Sequence, residues 1–177
     1  MVQPNIILRP GRPGDINTVA AMSRDLVETG LRWKWTPFRI NRLLSHPHAQ
    51  LLVAESSHDK VVGFAIMEYH RNHAHLDLLA VAPAYRTLGL GRRLVAWLET
   101  SALTAGIGKV TLEVRAGSTG ARAFYYSLGF QQVAVIPGYY EGQETAVRLV
   151  HQLGQEPENE VYWQREIDAM LERATSH

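Results

Sequence analysis

The segment Leu76-Asp77-Leu78-Leu79-Ala80-Val81-Ala82-Pro83-Ala84-Tyr85-Arg86-Thr87-Leu88-Gly89-Leu90-Gly91-Arg92-Arg93-Leu94 carries the densest chemistry in the chain. An apolar strand runs into a loop with Arg86-x-x-Gly89-x-Gly91, and a helix begins inside that loop. The first turn of a helix has N–H groups without intrahelical partners and the positive end of the dipole, which together suit a phosphate. Glycine lets the backbone approach an anion with no Cβ in the way, and Arg86, Arg92 and Arg93 add positive charge. The pattern fits a pyrophosphate. It is not a Walker loop, because no Gly-Lys-Ser/Thr follows, and it lacks the three-glycine dinucleotide fingerprint. A tight turn without a ligand is the alternative. Just upstream, His73, His75 and Asp77 alternate onto one face of a regular strand. Two histidines and a carboxylate could hold a metal, but spacing alone argues weakly and no further ligand is indicated, so no metal is expected.

The elements that position these residues follow from periodicity. Ile6-Ile7-Leu8-Arg9 reads as a strand stopped by Pro10-Gly11. A helix opens at Pro13-Gly14-Asp15, with Ile16, Val19, Ala20, Met22, Leu26 and Val27 at helical spacing and Gly30 at its end. A second short helix covers residues 37–45. Strands are expected over residues 50–55, 61–69, 73–81, 109–114, 130–136 and 145–150. Helices fall at 90–105 and 118–128, and Leu90, Leu94, Trp97, Leu98 and Leu103 are expected on the buried side of the first. The order of strands and helices indicates an α/β or α+β domain around a mixed sheet. The domain occupies residues 1–154, and 155–177 form a C-terminal extension with an amphipathic helix.

Composition narrows the classes. The chain has 177 residues, 46% hydrophobic and 20% charged, with a net charge of +1 and no cysteine. These values fit one globular domain and exclude disulfides, thiolate metal sites and cysteine nucleophiles. Without a concentrated basic face, nucleic acid is not the expected partner. No apolar stretch approaches the ~20 residues of a membrane helix and no signal peptide is visible, so no membrane partner and a cytoplasmic location are expected.

Three motifs, in order, resemble the GNAT acyltransferases. They are Arg86-x-x-Gly89-x-Gly91 after Leu79-Ala80-Val81; Leu112-Glu113-Val114-Arg115 followed by Ala121-x-x-Phe124-Tyr125-x-x-x-Gly129-Phe130; and Gly138-Tyr139-Tyr140 before the last strand. The combination is most similar to the branch that acetylates protein N-termini, including the ribosomal-protein alanine acetyltransferases. The resemblance implies a mixed central sheet of about seven strands, flanked by helices and splayed between the strands ending at Val81 and Val114. It implies acetyl-CoA as co-substrate, with pantetheine along Leu79, Ala80 and Val81 and the diphosphate on the loop and helix start: Arg86, Thr87, Leu88, Gly89, Leu90, Gly91 and Arg92.

The same resemblance implies residue roles. Glu113 matches the base that takes the amine proton, and Tyr125 matches the tyrosine near the cofactor sulfur that protonates the leaving thiolate. His75 occupies the strand position where some protein acetyltransferases place their base, and an imidazole titrating near ~6.5 suits that task; a merely polar strand face is the other reading. Ser118 stands where the relatives commonly carry asparagine; it would cap the next helix and bond the cofactor with a shorter reach. Trp33 and Trp35 lie where the family builds its acceptor loop and either line the substrate or pack the core. Tyr139 and Tyr140, in a loop, would hold the acceptor backbone.

The activity expected is direct transfer of acetyl to a primary amine, with the N-terminal α-amine of a protein or peptide as first choice. A small-molecule amine is the enzymatic alternative, and a non-catalytic acyl-CoA-binding sensor the other. A homodimer is left open by the C-terminal extension.

Overall fold

Alternating apolar residues bring seven strands into one mixed sheet. The computed structural model describes residues 5–58 and 60–154. Along the chain come β1 (Ile6–Pro10), α1 (Ile16–Met22), α2 (Pro37–Leu44), β2 (Ala49–Ser56), β3 (Val61–Tyr69), β4 (Ala74–Val81), α3 (Leu90–Thr104), β5 (Lys109–Arg115), α4 (Thr119–Ser127), β6 (Gln131–Tyr140) and β7 (Glu144–Gln152). The strand order is β1-β2-β3-β4-β5-β7-β6. All neighbours are antiparallel except β4 and β5. The expected C-terminal helix lies outside the described residues. Among the described residues no helix is long and apolar enough to cross a membrane.

The parallel pair is the irregular one. β4 and β5 are joined only at Ala74↔Val110 and His75↔Thr111; beyond these the strands part, as the splay expected from the resemblance requires. Antiparallel strands direct alternate residues to one neighbour. Ala82 N–H bonds back to Val62 C=O at 2.8 Å, so the main chain of Leu79 and Val81 is directed to the open side.

A bulge in β4 sorts its side chains. Ile66 pairs with Leu78 and Met67 with Leu76, which leaves Asp77 as an extra residue. A bulge re-aims the side chains that follow it. Ala74 and Leu76 therefore belong to the core beneath α3, with Leu94, Leu98, Val110 and Leu112. Leu78 and Ala80 belong instead to the core beneath α1 and α2, with Val19, Ile40 and Phe64. His75 and Asp77 are left together on the α1–α2 face.

Three expectations are corrected. The first helix is not regular to residue 27: α1 ends at Met22 and a π-turn covers Ser23–Val27. Widening that turn brings Glu28 inward, where its carboxylate accepts from Ser23 Oγ at 3.0 Å, Lys34 N–H at 2.7 Å and Trp35 N–H at 3.2 Å. In α3 the buried stripe is Leu90, Leu94, Val95, Leu98 and Ala102. Trp97 is 37% and Leu103 47% exposed, because at 100° per residue Leu103 falls opposite the centre of that stripe. Finally, Gly138-Tyr139-Tyr140 is strand rather than loop. β6 runs through a bulge after Ile136, with Gly138 at φ 66, and pairs Tyr140 with Glu144.

The α3 correction is measurable. Leu98→Ala is expected to lower the unfolding free energy by ~2–5 kcal/mol, and Leu103→Ala by less than ~1 kcal/mol, in chemical denaturation.

Candidate active site

The gap between β4 and β5 opens into a cleft of about 440 Å³ whose walls come from β4, β5, α4, the 26–35 segment and the β6–β7 hairpin. Beside Leu79, one of the lining residues, lies the start of α3. Gly89 is its N-cap at φ 71, and a Cβ there would meet nothing within 4 Å. Arg93 N–H is bonded to Gly89 C=O at 3.1 Å, so the amides of 90–92 precede the first intrahelical bond. Thr87 also takes positive φ, 69, which for a β-branched residue is strained. Such strain is held at a turn by what the turn must present. Gly91 has a different reason from the one the motif suggested: a Cβ there would lie 3.1 Å from Phe124 Cζ, so its bareness lets α4 pack against α3.

The arginines divide. Arg86 Nε donates to Val81 C=O at 3.1 Å, across the mouth of the gap. Arg92 reaches Ser127 Oγ at 3.4 Å and is exposed, whereas Arg93 donates to Ile6 C=O at 3.0 Å and ties α3 to β1. Arg93 is therefore anchoring the fold rather than adding mobile charge to the loop.

The floor is polar and tightly bonded. His75 Nε2 meets Glu113 Oε2 at 3.0 Å, Arg148 Nε donates to Glu113 Oε1 at 2.7 Å, and His75 Nδ1 contacts Thr111 Oγ1 at 2.8 Å. Burial alone would raise the Glu113 carboxyl, but hydrogen bonds from His75 and Arg148 outweigh it and hold the group below the ordinary carboxylate range. Burial likewise opposes the His75 cation, and Glu113 outweighs it, so the imidazole titrates above its usual value. The two base candidates thus form one pair, and both Glu113 oxygens are engaged. His73 leaves this face: it stacks on His70 at 4.7 Å and bonds Asn72 at 2.9 Å. The trio considered for a metal is accordingly not assembled.

Tyr125 faces the floor from α4. Its ring is held edge-on by Phe124 at 5.1 Å and Phe130 at 5.5 Å, and it lines the cleft. Burial, with Tyr140 adding, pushes its hydroxyl well above the usual range, so at neutral pH it keeps its proton and can donate. Ser118 also lines the cleft and is the N-cap of α4, but its side chain makes no cap bond; the expected capping role is corrected.

The acceptor end is closed by two segments that meet. Arg32 N–H donates to Glu141 Oε1 at 2.8 Å, and Arg115 Nη2 donates to Thr29 C=O at 2.7 Å. Tyr139 and Tyr140 line this end, packed edge-to-face at 4.9 Å. Burial pushes the Tyr140 hydroxyl up to about 12, and raises that of Tyr139. Trp35 is only 7% exposed, sits in the α1–α2 core and carries Arg39 at 3.8 Å over its ring, while still edging the cleft. Trp33 packs against the same core and does not line the cleft; its place is corrected to packing. Asp77 was not among the expected site residues except as a metal ligand. It lines the cleft with Oδ2 buried and unpartnered. The signal for it was present in the alternation with His75.

Known proteins resemble this chain in the same terms. The Acetyltransferase (GNAT) family profile matches residues 20–130. An uncharacterized N-acetyltransferase of Methanocaldococcus jannaschii is 29% identical over 150 residues, covering 82% of this chain and 90% of that protein. The [ribosomal protein bS18]-alanine N-acetyltransferase of Salmonella typhimurium is 37% identical over 92 residues. That stretch is 50% of this chain and only 62% of the Salmonella protein's length. The crystal structure of the ribosomal-protein-S18-alanine N-acetyltransferase from Escherichia coli superposes with a TM-score of 0.74 at 25% identity, over 88% of this chain and 98% of that one.

The floor makes a pH prediction. In the folded protein His75 should titrate above 6.5, its charged pairing with Glu113 present below that folded value and lost as pH rises through it. In Glu113→Gln burial is less opposed, and the His75 midpoint should fall. NMR of the imidazole carbons measures both.

Proposed function

The chain belongs to the Acetyltransferase (GNAT) family, and we propose that it moves the acetyl group of acetyl-CoA directly to the α-amine of a protein or peptide. Acetyl-CoA supplies an acyl group activated as a thioester. The observation that carries the reading is the strand edge of Leu79 and Val81 that β5 leaves unpaired, with Arg86 on the Val81 C=O, beside the bare amides at the start of α3 and a protonated phenol on α4. A pantetheine amide suits the first, a diphosphate the second, and a departing thiolate the third.

The chain's own groups then have defined tasks. The edge of β4 and the α3 N-terminus, with Arg86 and Arg92, orient the cofactor. Removal of a proton from the incoming ammonium falls to the cluster built around Glu113 and His75, beside which a cation is electrostatically welcome. The amine lone pair forms the C–N bond as the C–S bond breaks, and Tyr125 gives its proton to sulfur. Trapping both reactants in one cleft converts the encounter into a near-unimolecular step. A peptide acceptor is supported by the tyrosine pair and by the two segments that close the acceptor end, and the relatives named as ribosomal-protein alanine N-acetyltransferases favour a protein acceptor. A cytoplasmic setting goes with this reading.

Thiol release from acetyl-CoA, with mass spectrometry of the acceptor, tests it. Peptides with free N-termini should be acetylated and N-terminally blocked ones should not. Turnover confined to small amines would replace the acceptor class; binding of acetyl-CoA with no acceptor consumed would replace enzyme by sensor. Tyr125→Phe should lower kcat by about 10²-fold or more and leave acetyl-CoA affinity unchanged.

A further inference from the structure

Of His75, Asp77 and Glu113, Asp77 is the group whose carboxylate has an oxygen with no donor. Glu113 spends one oxygen on His75 and the other on Arg148, and His75 spends its two ring nitrogens on Glu113 and Thr111. A proton acceptor needs a free lone pair aimed at the proton. Asp77 Oδ2 is buried and receives no hydrogen bond, yet the residue lines the cleft between His75 and Leu79. A carboxylate taken out of water without a donor is costly.

The surroundings relieve that cost only in part. Glu68 on β3 and Glu113 on β5 are like charges, and Tyr139 on β6 faces it as a neutral phenol. His75 on its own strand and Arg39 on α2 are the opposing cations. From the π-turn come apolar Leu26 and Val27, while Arg24 and Asp25 pair with each other at the surface. Glu28 is consumed by Ser23 and two amides, and Lys34 and Arg32 stand further along the wall. Burial first, then Glu68, push the Asp77 carboxyl up to about 7 against the pull of His75 and Arg39.

Resting on the acetyl-transfer reading above, we infer that the Asp77 carboxylate, which lines the cleft with its Oδ2 buried behind it, takes the first proton from the acceptor ammonium, with Glu113 and His75 as positioning residues that hold the floor around it. The N–H bond breaks, an O–H bond forms on Asp77, and the freed lone pair attacks the thioester carbonyl. The C–S bond then breaks, and sulfur takes the Tyr125 proton. The second amine proton and the one on Asp77 pass to solvent, which also restores the phenol.

The experiment pairs kcat against pH, at saturating acetyl-CoA and peptide, with ¹³C-carboxyl NMR of the full chain. Wild type should gain activity as pH rises through about 7, in step with an Asp77 carboxyl titrating there. Asp77→Asn should lose about 10²-fold or more in kcat and lose that limb, and Asp77→Glu should recover part of both. Glu113→Gln should be slower but keep a limb, displaced in pH. An Asp77→Asn enzyme that keeps the limb while Glu113→Gln loses it overturns the inference and leaves the acetyl-transfer reading standing. No turnover by wild type with any amine overturns that reading instead. If Asp77→Asn does not fold, the carboxyl titration decides: an Asp77 midpoint near 4 in the wild-type protein contradicts the role.

Discussion

Two residue pairs hold β4 to β5, and everything the cleft can do depends on there being no more. A strand edge that leaves its sheet exposes donors and acceptors that must be satisfied, and each left buried and unpaired costs ~1–3 kcal/mol. Here the unpaired edge, with Arg86 on the Val81 C=O, continues into a loop with positive φ at Thr87 and Gly89 that leads to the unbonded first amides of α3. An extended, amide-bearing ligand with an anionic end meets both demands at once. The sheet, the loop and the helix dipole thus form one device.

The cleft floor works by imbalance. Burial opposes charge on His75, Asp77 and Glu113 alike, but only two of them are compensated. Two donors favour the Glu113 anion, Glu113 favours the His75 cation, and the Asp77 carboxylate has an oxygen with no donor. Pairs of titratable groups pushed in opposite directions are a recurrent sign of acid–base work. On α4 burial pushes the Tyr125 hydroxyl toward retaining its proton, the opposite direction to Glu113. Proton acceptor and proton donor are thereby separated across the space where an acyl group would sit.

Much of this was legible in the sequence because it is local. The Arg86-to-Gly91 motif, the strand before it and the helix after it are contiguous, and periodicity located all seven strands. What escaped is what depends on partners far along the chain. His75 and Glu113 are separated by a helix and a strand turn, and they read as rival bases until the two-pair contact of β4 with β5 places them against each other. Asp77 shares a face with His75 by alternation, but the Glu68, Arg39 and Glu113 charges that set its environment come from other elements. For Trp33 and Trp35 the sequence leaves substrate contact and core packing both open; it is the buried Glu28 carboxylate, gathering the amides of Lys34 and Trp35, that folds this stretch onto the core. Gly91 matched a phosphate motif yet also sits where a Cβ would crowd the Phe124 ring, so one residue can satisfy a pattern for a second reason.

Hydrogen exchange with and without acetyl-CoA tests the central claim most directly. Amides of 79–81 and 87–92 should become protected on saturation, while those of β2, on the far side of the sheet, should not change. Saturable binding that protects neither segment would contradict the account, as would the absence of any binding at millimolar acetyl-CoA.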